Sequence, residues 1–310
     1  MISLKQINYA LAVENTLHFK KASEQCHVSQ SALSSAIHEM ESQLGVQIFE
    51  RNNKHVFVTS CGAKVLEKAR SIKIALDELM QISQMDKAPL STPMTLGVIP
   101  TIGPYLLPKV LPQVRKQYPE FQLKIKEAQS HRLVEMVRGG DLDAAILALP
   151  YPIEGLLSFE FWQEDFYWVS HQAECSSQLT EITTKDIDLD KLMLLKEGHC
   201  LKDQILAVCQ QKSLKQESSF DSASLHTIIQ MVAGKLGTTL VPEMALSQLL
   251  HGESELKAIH LNEPGPHRSI AFVIRPNYVK TNDVQALIHL FTRQLKQSLK
   301  KGSVVAWQFC

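Results

Sequence analysis

The stretch from Phe19 to Arg51 narrows the possible folds more than any other part of this chain. Apolar residues recur at helical spacing through Leu4, Ile7 and Leu11, then Phe19, Ala22 and Cys26, then Leu33, Ile37, Met40 and Leu44, with breaks at Leu17-His18 and Val28-Ser29. Three short helices are predicted. Small Ala22 lets two of them approach, Val28 fills their turn, and Leu33, Ile37 and Met40 hold the third helix down, leaving Gln30, Ser31, Ser34, Ser35 and His38 on its outer face. From Gln47 to Thr59 the alternation of Ile48, Val56 and Val58 around the polar run Arg51-Asn52-Asn53-Lys54-His55 predicts a two-stranded wing with a basic tip. The sum is a winged helix-turn-helix. Its third helix would offer short polar groups to base edges and phosphates in the major groove of double-stranded DNA, while Arg51 and Lys54 neutralise flanking phosphates. A plain three-helix bundle whose polar face meets only water fits the periodicity equally well.

From Cys61 to Met85 there is no proline, and Val65, Leu66, Ala69, Ile72, Leu76, Leu79 and Met80 form one stripe, with Thr59 or Ser60 placed to cap the start. A lone helix of that length leaves its stripe uncovered, so a second copy of the chain is the natural partner. Pro89 and Pro93 then break the pattern and mark a hinge.

Beyond the hinge, strand-like and helix-like segments alternate. Met94–Ile99, Phe121–Glu127, Ala144–Ala148, Tyr167–Ser170, Leu192–Leu195, Thr239–Pro242 and Ile270–Ile274 read as strands. Leu106–Tyr118, Leu133–Arg138, Ile205–Gln211, Ser224–Val232 and Val284–Leu299 read as helices. Such alternation implies α/β architecture with parallel sheets, in two doubly wound lobes with a crevice at the carboxyl ends of the strands. The expected domains are 1–58 for the winged helix-turn-helix, 59–88 for the dimerising helix, 89–93 for the hinge and 94–302 for a regulatory domain. Its lobes would be 94–165 with 268–302, and 166–267; the tail 303–310 receives no role.

At 310 residues, with 45% apolar and 21% charged residues, the chain has room for a small domain and a larger one. The formal charge is zero overall, and residues 1–64 carry six Lys/Arg against five Asp/Glu, so any affinity for DNA must come from placement rather than bulk charge. With no run of about 18 apolar residues and no signal-peptide pattern at the start, the reading is a cytoplasmic protein without a membrane partner. Six scattered cysteines without a CxxC spacing, and histidines without metal spacing, predict neither structural disulfides nor a metal site, and no cofactor is implied.

Cys200 stands in the run Lys196-Glu197-Gly198-His199-Cys200-Leu201-Lys202-Asp203-Gln204, with Cys209 nine residues on. The thiolate is the reactive form of cysteine, and His199, Lys202 and a helix beginning at Leu201 would lower the thiol's pKa. Peroxide attack on such a sulfur gives a sulfenic acid, which a second thiol can capture. If the segment is helical, nine residues at ~1.5 Å each separate the two α carbons by ~13 Å, whereas a disulfide tolerates only roughly 4.4–6.8 Å. Joining them would require the segment to unwind. An inert buried cysteine is the commoner meaning of an isolated His-Cys pair.

The residues from Phe19 to Arg51, with their Val28-Ser29-Gln30-Ser31-Ala32-Leu33-Ser34 turn and the Leu44-Gly45-Val46 and Phe49-Glu50-Arg51 approach to the wing, resemble the amino-terminal domain of the LysR-type transcriptional regulators. Ile48 and Lys54 depart conservatively from that pattern. The resemblance implies a two-lobed regulatory domain similar to periplasmic binding proteins and assembly as a homotetramer, a dimer of dimers. Gly198-His199-Cys200-Leu201 with Asp203-Gln204 and a following Cys209 is similar to the redox centre of the family's peroxide-sensing OxyR branch, as are Val98 to Pro108, Asp141 to Ile146 and His267-Arg268-Ser269-Ile270. That resemblance implies that Cys200 is peroxidatic and Cys209 resolving. It further implies that Thr101, Ser130, Gly198 and His199 hold hydrogen peroxide or its water, and that Asp203 and Arg268 tune the pocket; Ser130 stands where the branch usually has threonine. RNA polymerase is the implied protein partner. Three other functions remain open: a metabolite-responsive regulator with an incidental cysteine, a thiol peroxidase, and a solute-binding protein, the last disfavoured by the missing signal peptide. The first alternative falls if replacing Cys200 abolishes a peroxide response, the second if no steady peroxide turnover is seen.

Overall fold

The computed structural model describes residues 1–51, 55–82, 88–175, 179–210 and 224–302. They divide into two compact units, Met1–Asp86 and Lys87–Cys310.

The first unit opens with α1 (Leu4–Thr16), started by a capping box in which the Ser3 hydroxyl accepts the Gln6 N–H at 3.2 Å and Gln6 Oε1 accepts the Ser3 N–H at 2.8 Å. Leu17 ends it in the left-handed conformation. His18 Nδ1 then accepts the N–H of Lys20 at 3.2 Å and starts α2 (Phe19–Gln25). Ser29 caps α3 (Gln30–Leu44) by accepting the Ala32 N–H, and Gly45 closes it at φ +67. Ile7, Ala10, Phe19, Ala22, Leu33, Ile37 and Met40 are buried together. The wing is β1 (Phe49–Arg51) paired antiparallel with β2 (Val56–Val58). Glu41 ties it to α3, its Oε1 accepting the Ile48 and Phe49 N–H groups at 2.8 and 3.1 Å. Thr59 caps α4 (Ser60–Ile82) through the Gly62 N–H at 2.8 Å. Gly62 lies directly on the Ile48 carbonyl, where no β carbon fits. Arg70 of α4 pairs with Glu14 of α1 at 3.0 Å. Ile72, Leu79 and Met80 remain exposed on α4.

In the second unit Leu90, at φ +60, donates its N–H to Asp283 at 2.8 Å and leads into β3 (Met94–Val98). There follow α5 (Gly103–Gln117), β4 (Leu123–Glu127), α6 (Ser130–Arg138), β5 (Ala144–Leu149) and β6 (Leu157–Glu164). The chain then crosses into a second sheet through β7 (Phe166–His171), β8 (Glu181–Ile182), α7 (Cys200–Val208), α8 (Leu225–Ala233), β9 (Thr239–Pro242), α9 (Glu243–Leu249) and β10 (Leu256–Leu261). It returns with β11 (Arg268–Ile274) and ends in α10 (Thr281–Gly302). The sheet orders are β4-β3-β5-β11-β6 and β8-β10-β7-β9.

Among the described residues the strands that pair in parallel are β4, β3 and β5 in the first sheet and β8 with β10 in the second. β11 runs antiparallel to both β5 and β6, because it re-enters the first sheet from the other lobe rather than through a helix on its face. Leu192–Leu195, expected as a strand, contributes only an isolated bridge from Leu192 to Thr238. α5 begins three residues before the expected Leu106, since Pro104 fits the first helical turn.

Candidate functional site

Gly198 sets up the site. It adopts φ +90, and a β carbon there would sit 2.9 Å from Gln129 Nε2, so only glycine fits the turn. The turn makes His199 the N-cap and Cys200 the first residue of α7. Cys200 is 3% exposed. Three structural ends converge on its sulfur: Ser130 at the start of α6, Ala148 near the end of β5, and Arg268 at the head of β11. Thr101, in the loop after β3, is held against Arg268, whose Nη1 donates to its hydroxyl at 3.4 Å and whose Nη2 donates to its carbonyl at 3.2 Å. The segments at the carboxyl ends of β3 and β5 thus supply Thr101 beside Arg268 and Ala148 beside Cys200, where a doubly wound sheet places its functional groups.

Burial pushes the Cys200 thiol above its ordinary pKa, while the Ser130 hydrogen bond, the Arg268 charge and the Ala148 backbone pull it back; Asp203 pushes it further up. This corrects the expected activation by His199 and Lys202. His199 is buried, and that burial together with Lys196 holds its imidazole below the usual value, so it is neutral at neutral pH. Lys202 faces Glu197 at 3.9 Å. Arg268 is therefore the cation that serves the sulfur. Adjacency in sequence supplied charges, but burial and long-range packing decide which of them act.

Asp203 lies on the exposed side of α7 and is not brought into the buried set. Gln204 is, and sequence reasoning gave it no role: its Nε2 donates to the Ala148 carbonyl at 3.1 Å. Its spacing of four from Cys200 is the signal that could have found it. Glu164 was also missed. Its Oε1 accepts from Arg268 Nε and Nη2 at 2.8 and 2.7 Å, with both side chains fully buried. No local pattern announces that pair.

Cys209 is the C-cap of α7, its N–H bonded to the Ile205 carbonyl at 2.9 Å. Burial, with Glu263 adding to it, pushes its thiol up to about 11. Both cysteines are free thiols at opposite ends of one helix. Nine residues of helical rise keep their backbones ~13 Å apart, well beyond the roughly 4.4–6.8 Å a disulfide spans. Cys26 and Cys175 are half-buried, each pushed up chiefly by burial, and Cys61 is exposed.

On α3, Gln30, Ser31, Ser35 and His38 are exposed and Ser34 is half-buried. Ser34, Ser35 and His38 share a shallow depression with Glu39, Ser42 and Gln43. Arg51 closes β1, and Lys54 lies outside the described residues, as does the tail 303–310. Among the described residues no helix is long and apolar enough to cross a membrane, and no group of three His, Cys, Asp or Glu side chains is placed to hold a metal ion.

Residues 4–63 match the bacterial regulatory helix-turn-helix protein, lysR family, and residues 87–296 match the LysR substrate binding domain. The HTH-type transcriptional regulator EstR of Acinetobacter baylyi is 34% identical, over 94% of this chain and 96% of its own. The DNA-binding transcriptional dual regulator OxyR of Escherichia coli is 31% identical, over 89% and 90%. Among solved structures, a full-length OxyR from Pseudomonas aeruginosa with a cysteine-to-aspartate substitution superimposes with a TM-score of 0.79 at 30% identity, covering 94% of this chain and 95% of that one. A hydrogen-peroxide-bound OxyR mutant from Corynebacterium glutamicum gives 0.64 at 27% identity, covering 98% and 96%.

Proposed function

Because the chain belongs to the LysR family of transcriptional regulators, we propose that it is a hydrogen peroxide sensor whose Cys200 and Cys209 carry the signal to DNA-bound helix-turn-helix units. The observation that carries this reading is a buried thiol at the head of α7, hydrogen-bonded by Ser130 and faced by the charge of Arg268, which itself holds Thr101, with a second thiol at the far end of the same helix.

The chemistry follows from those groups. Peroxide beside Cys200 meets hydroxyl and guanidinium donors; the sulfur, losing its proton, attacks one peroxide oxygen, and the O–O bond breaks. The departing hydroxide takes up a proton and leaves as water, so Cys200 becomes a sulfenic acid. Ser130 and Arg268 stabilise the thiolate that burial opposes, and Thr101 and the His199–Gly198 turn shape the space. Asp203 opposes the thiolate through its charge. The Cys209 thiol then displaces the sulfenic oxygen as a second water, forming the disulfide. That bond cannot close on an intact α7, so Leu201 and Ile205 must leave their buried positions.

For the response we infer a homotetramer paired through α4, with Gln30, Ser31, Ser34, Ser35 and His38 of α3 reading the operator and Arg51 and Lys54 on its backbone. The two redox states bind DNA with different footprints and contact RNA polymerase differently. The working location is the cytoplasm, where reduced thiols persist.

EstR, whose name carries no mention of peroxide, favours one competitor: a metabolite-responsive regulator in which Cys200 is incidental. The deciding experiment is thiol trapping with mass mapping after a stoichiometric peroxide pulse, on the parent and on Cys200→Ser. We expect a Cys200–Cys209 bond in the parent and no peroxide-dependent change of footprint in the variant. A variant that responds like its parent overturns the proposal, and steady catalytic peroxide consumption would point to a peroxidase.

A further inference from the structure

Glu164 is the last residue of β6, at the point where the chain leaves the five-stranded sheet for the four-stranded one. Its carboxylate is fully buried and takes no direct part in the chemistry above. Oε1 accepts both Nε and Nη2 of Arg268, and Oε2 accepts the Met244 N–H at 2.7 Å in the first turn of α9, in the other lobe. Lys109 of α5 donates to the carbonyl of the same Met244 at 3.2 Å. The guanidinium is a rigid planar fork. With Nε and one side of Nη2 held by Glu164, the opposite edge of the fork reaches Thr101, Nη1 donating to its hydroxyl at 3.4 Å and Nη2 to its carbonyl at 3.2 Å. Glu164 thus fixes the direction in which Arg268 faces the thiol pocket.

It also fixes the charge that Arg268 presents there. A carboxylate 2.7 Å from a cation turns a charge into a dipole, whose influence on a third group falls off faster with distance. The other titratable groups acting on Cys200 are Asp203 on its own helix and Tyr151 after β5, with His199 next to it in sequence. None of these pairs with Glu164.

We infer that Glu164 is a positioning residue for the peroxide reaction, acting through Arg268: it aims the guanidinium and offsets its charge, and so restrains the reactivity of Cys200. This rests on the reading that Cys200 is the peroxide-reactive thiol. Removing the negative charge while keeping an acceptor should free the Arg268 cation to favour the thiolate.

The test is the rate at which the full-length reduced protein reacts with stoichiometric hydrogen peroxide, followed across pH, with the Cys200 product mapped by mass. Glu164→Gln should react about three- to tenfold faster at neutral pH, its profile displaced to lower pH to match. Glu164→Asp keeps the buried charge but draws it back by one methylene, so its shift should be in the same direction and about twofold. In Glu164→Gln with Arg268→Met, both partners are neutral, an exchange that buried ion pairs commonly tolerate, and the gain should vanish. A Glu164→Gln profile superimposed on the parent, or a gain that survives loss of Arg268, overturns the inference. Should the Gln variant not fold, an unshifted Asp variant overturns it equally, because a purely structural carboxylate would not displace the pH profile. A parent whose Cys200 fails to react overturns the functional reading and this inference together, whereas a reactive parent with unshifted variants overturns this inference alone.

Discussion

At the residue scale, Cys200 is a thiol whose surroundings oppose one another. Burial favours its protonated form, and Ser130 is the neutral side chain that works against burial. Ser130→Ala should therefore slow the stoichiometric peroxide reaction by about tenfold, the usual size of a hydrogen bond to a charged group, while Ser130→Thr, which retains the hydroxyl, should stay near the parent. Stopped-flow with sulfenic acid capture measures both. Cys209 gives a pH signature of its own. Its folded value of about 11 lies above the ordinary 9.0, so the unfolded chain loses that proton first as pH rises. The stability it contributes is present below 9 and lost as pH climbs through about 11; denaturant titrations should show Cys209→Ser flattening that alkaline decline. The local geometry around Cys200 was legible in the run from Gly198 to Gln204, because a glycine turn and a helix start leave a local imprint. Glu164 was not, since its partner Arg268 is 104 positions away and only the folded chain brings a buried acid and base together.

At the element scale, α7 is the part that the proposed Cys200–Cys209 disulfide would have to dismantle, and it is short. Cys200, Leu201, Gln204, Ile205 and Leu206 hold it down, but Ala207 is exposed. Ala207→Gly touches no core contact and should weaken the helix by about 1 kcal/mol. Because that loss falls on the reduced form, the disulfide becomes harder to reduce, and its potential should move about 20 mV more negative in a glutathione redox titration. The helices were largely readable from periodicity and caps, as Ser3, Ser29 and Thr59 show. The strands were less so. β6, β8 and β10 went unrecognised: β6 is an edge strand with most residues partly exposed, and its alternation is diluted. Leu192–Leu195 misled in the opposite way, being a buried apolar run with almost no strand laid beside it. Burial alone gives such a run the look of a central strand.

At the scale of the whole molecule, the exposed stripe of α4 calls for a partner. Ile72 and Leu79 are exposed and lie two turns apart on one face. The pair Ile72→Asp and Leu79→Asp should convert the assembly to monomers in analytical ultracentrifugation and abolish operator binding, while leaving the peroxide reaction at Cys200 unchanged. A formal charge of zero gives the monomer little general attraction for phosphate, so affinity must come from repeating a small basic surface along the DNA. That the α/β class could be read before the structure, while the antiparallel β11 could not, has a physical cause. Local sequence encodes the period of each element, but the direction in which a strand rejoins a sheet depends on where the chain has travelled in between.

The sealed setting of Cys200 carries one last consequence. With only 3% of the residue open to solvent, admission is decided by size before chemistry begins. A molecule scarcely larger than water would then be favoured over bulky disulfides and long-chain hydroperoxides, if the proposed peroxide reaction takes place there. On the proposed reading, a reduced sulfur so enclosed should react with hydrogen peroxide far faster than with any oxidant too large to reach it.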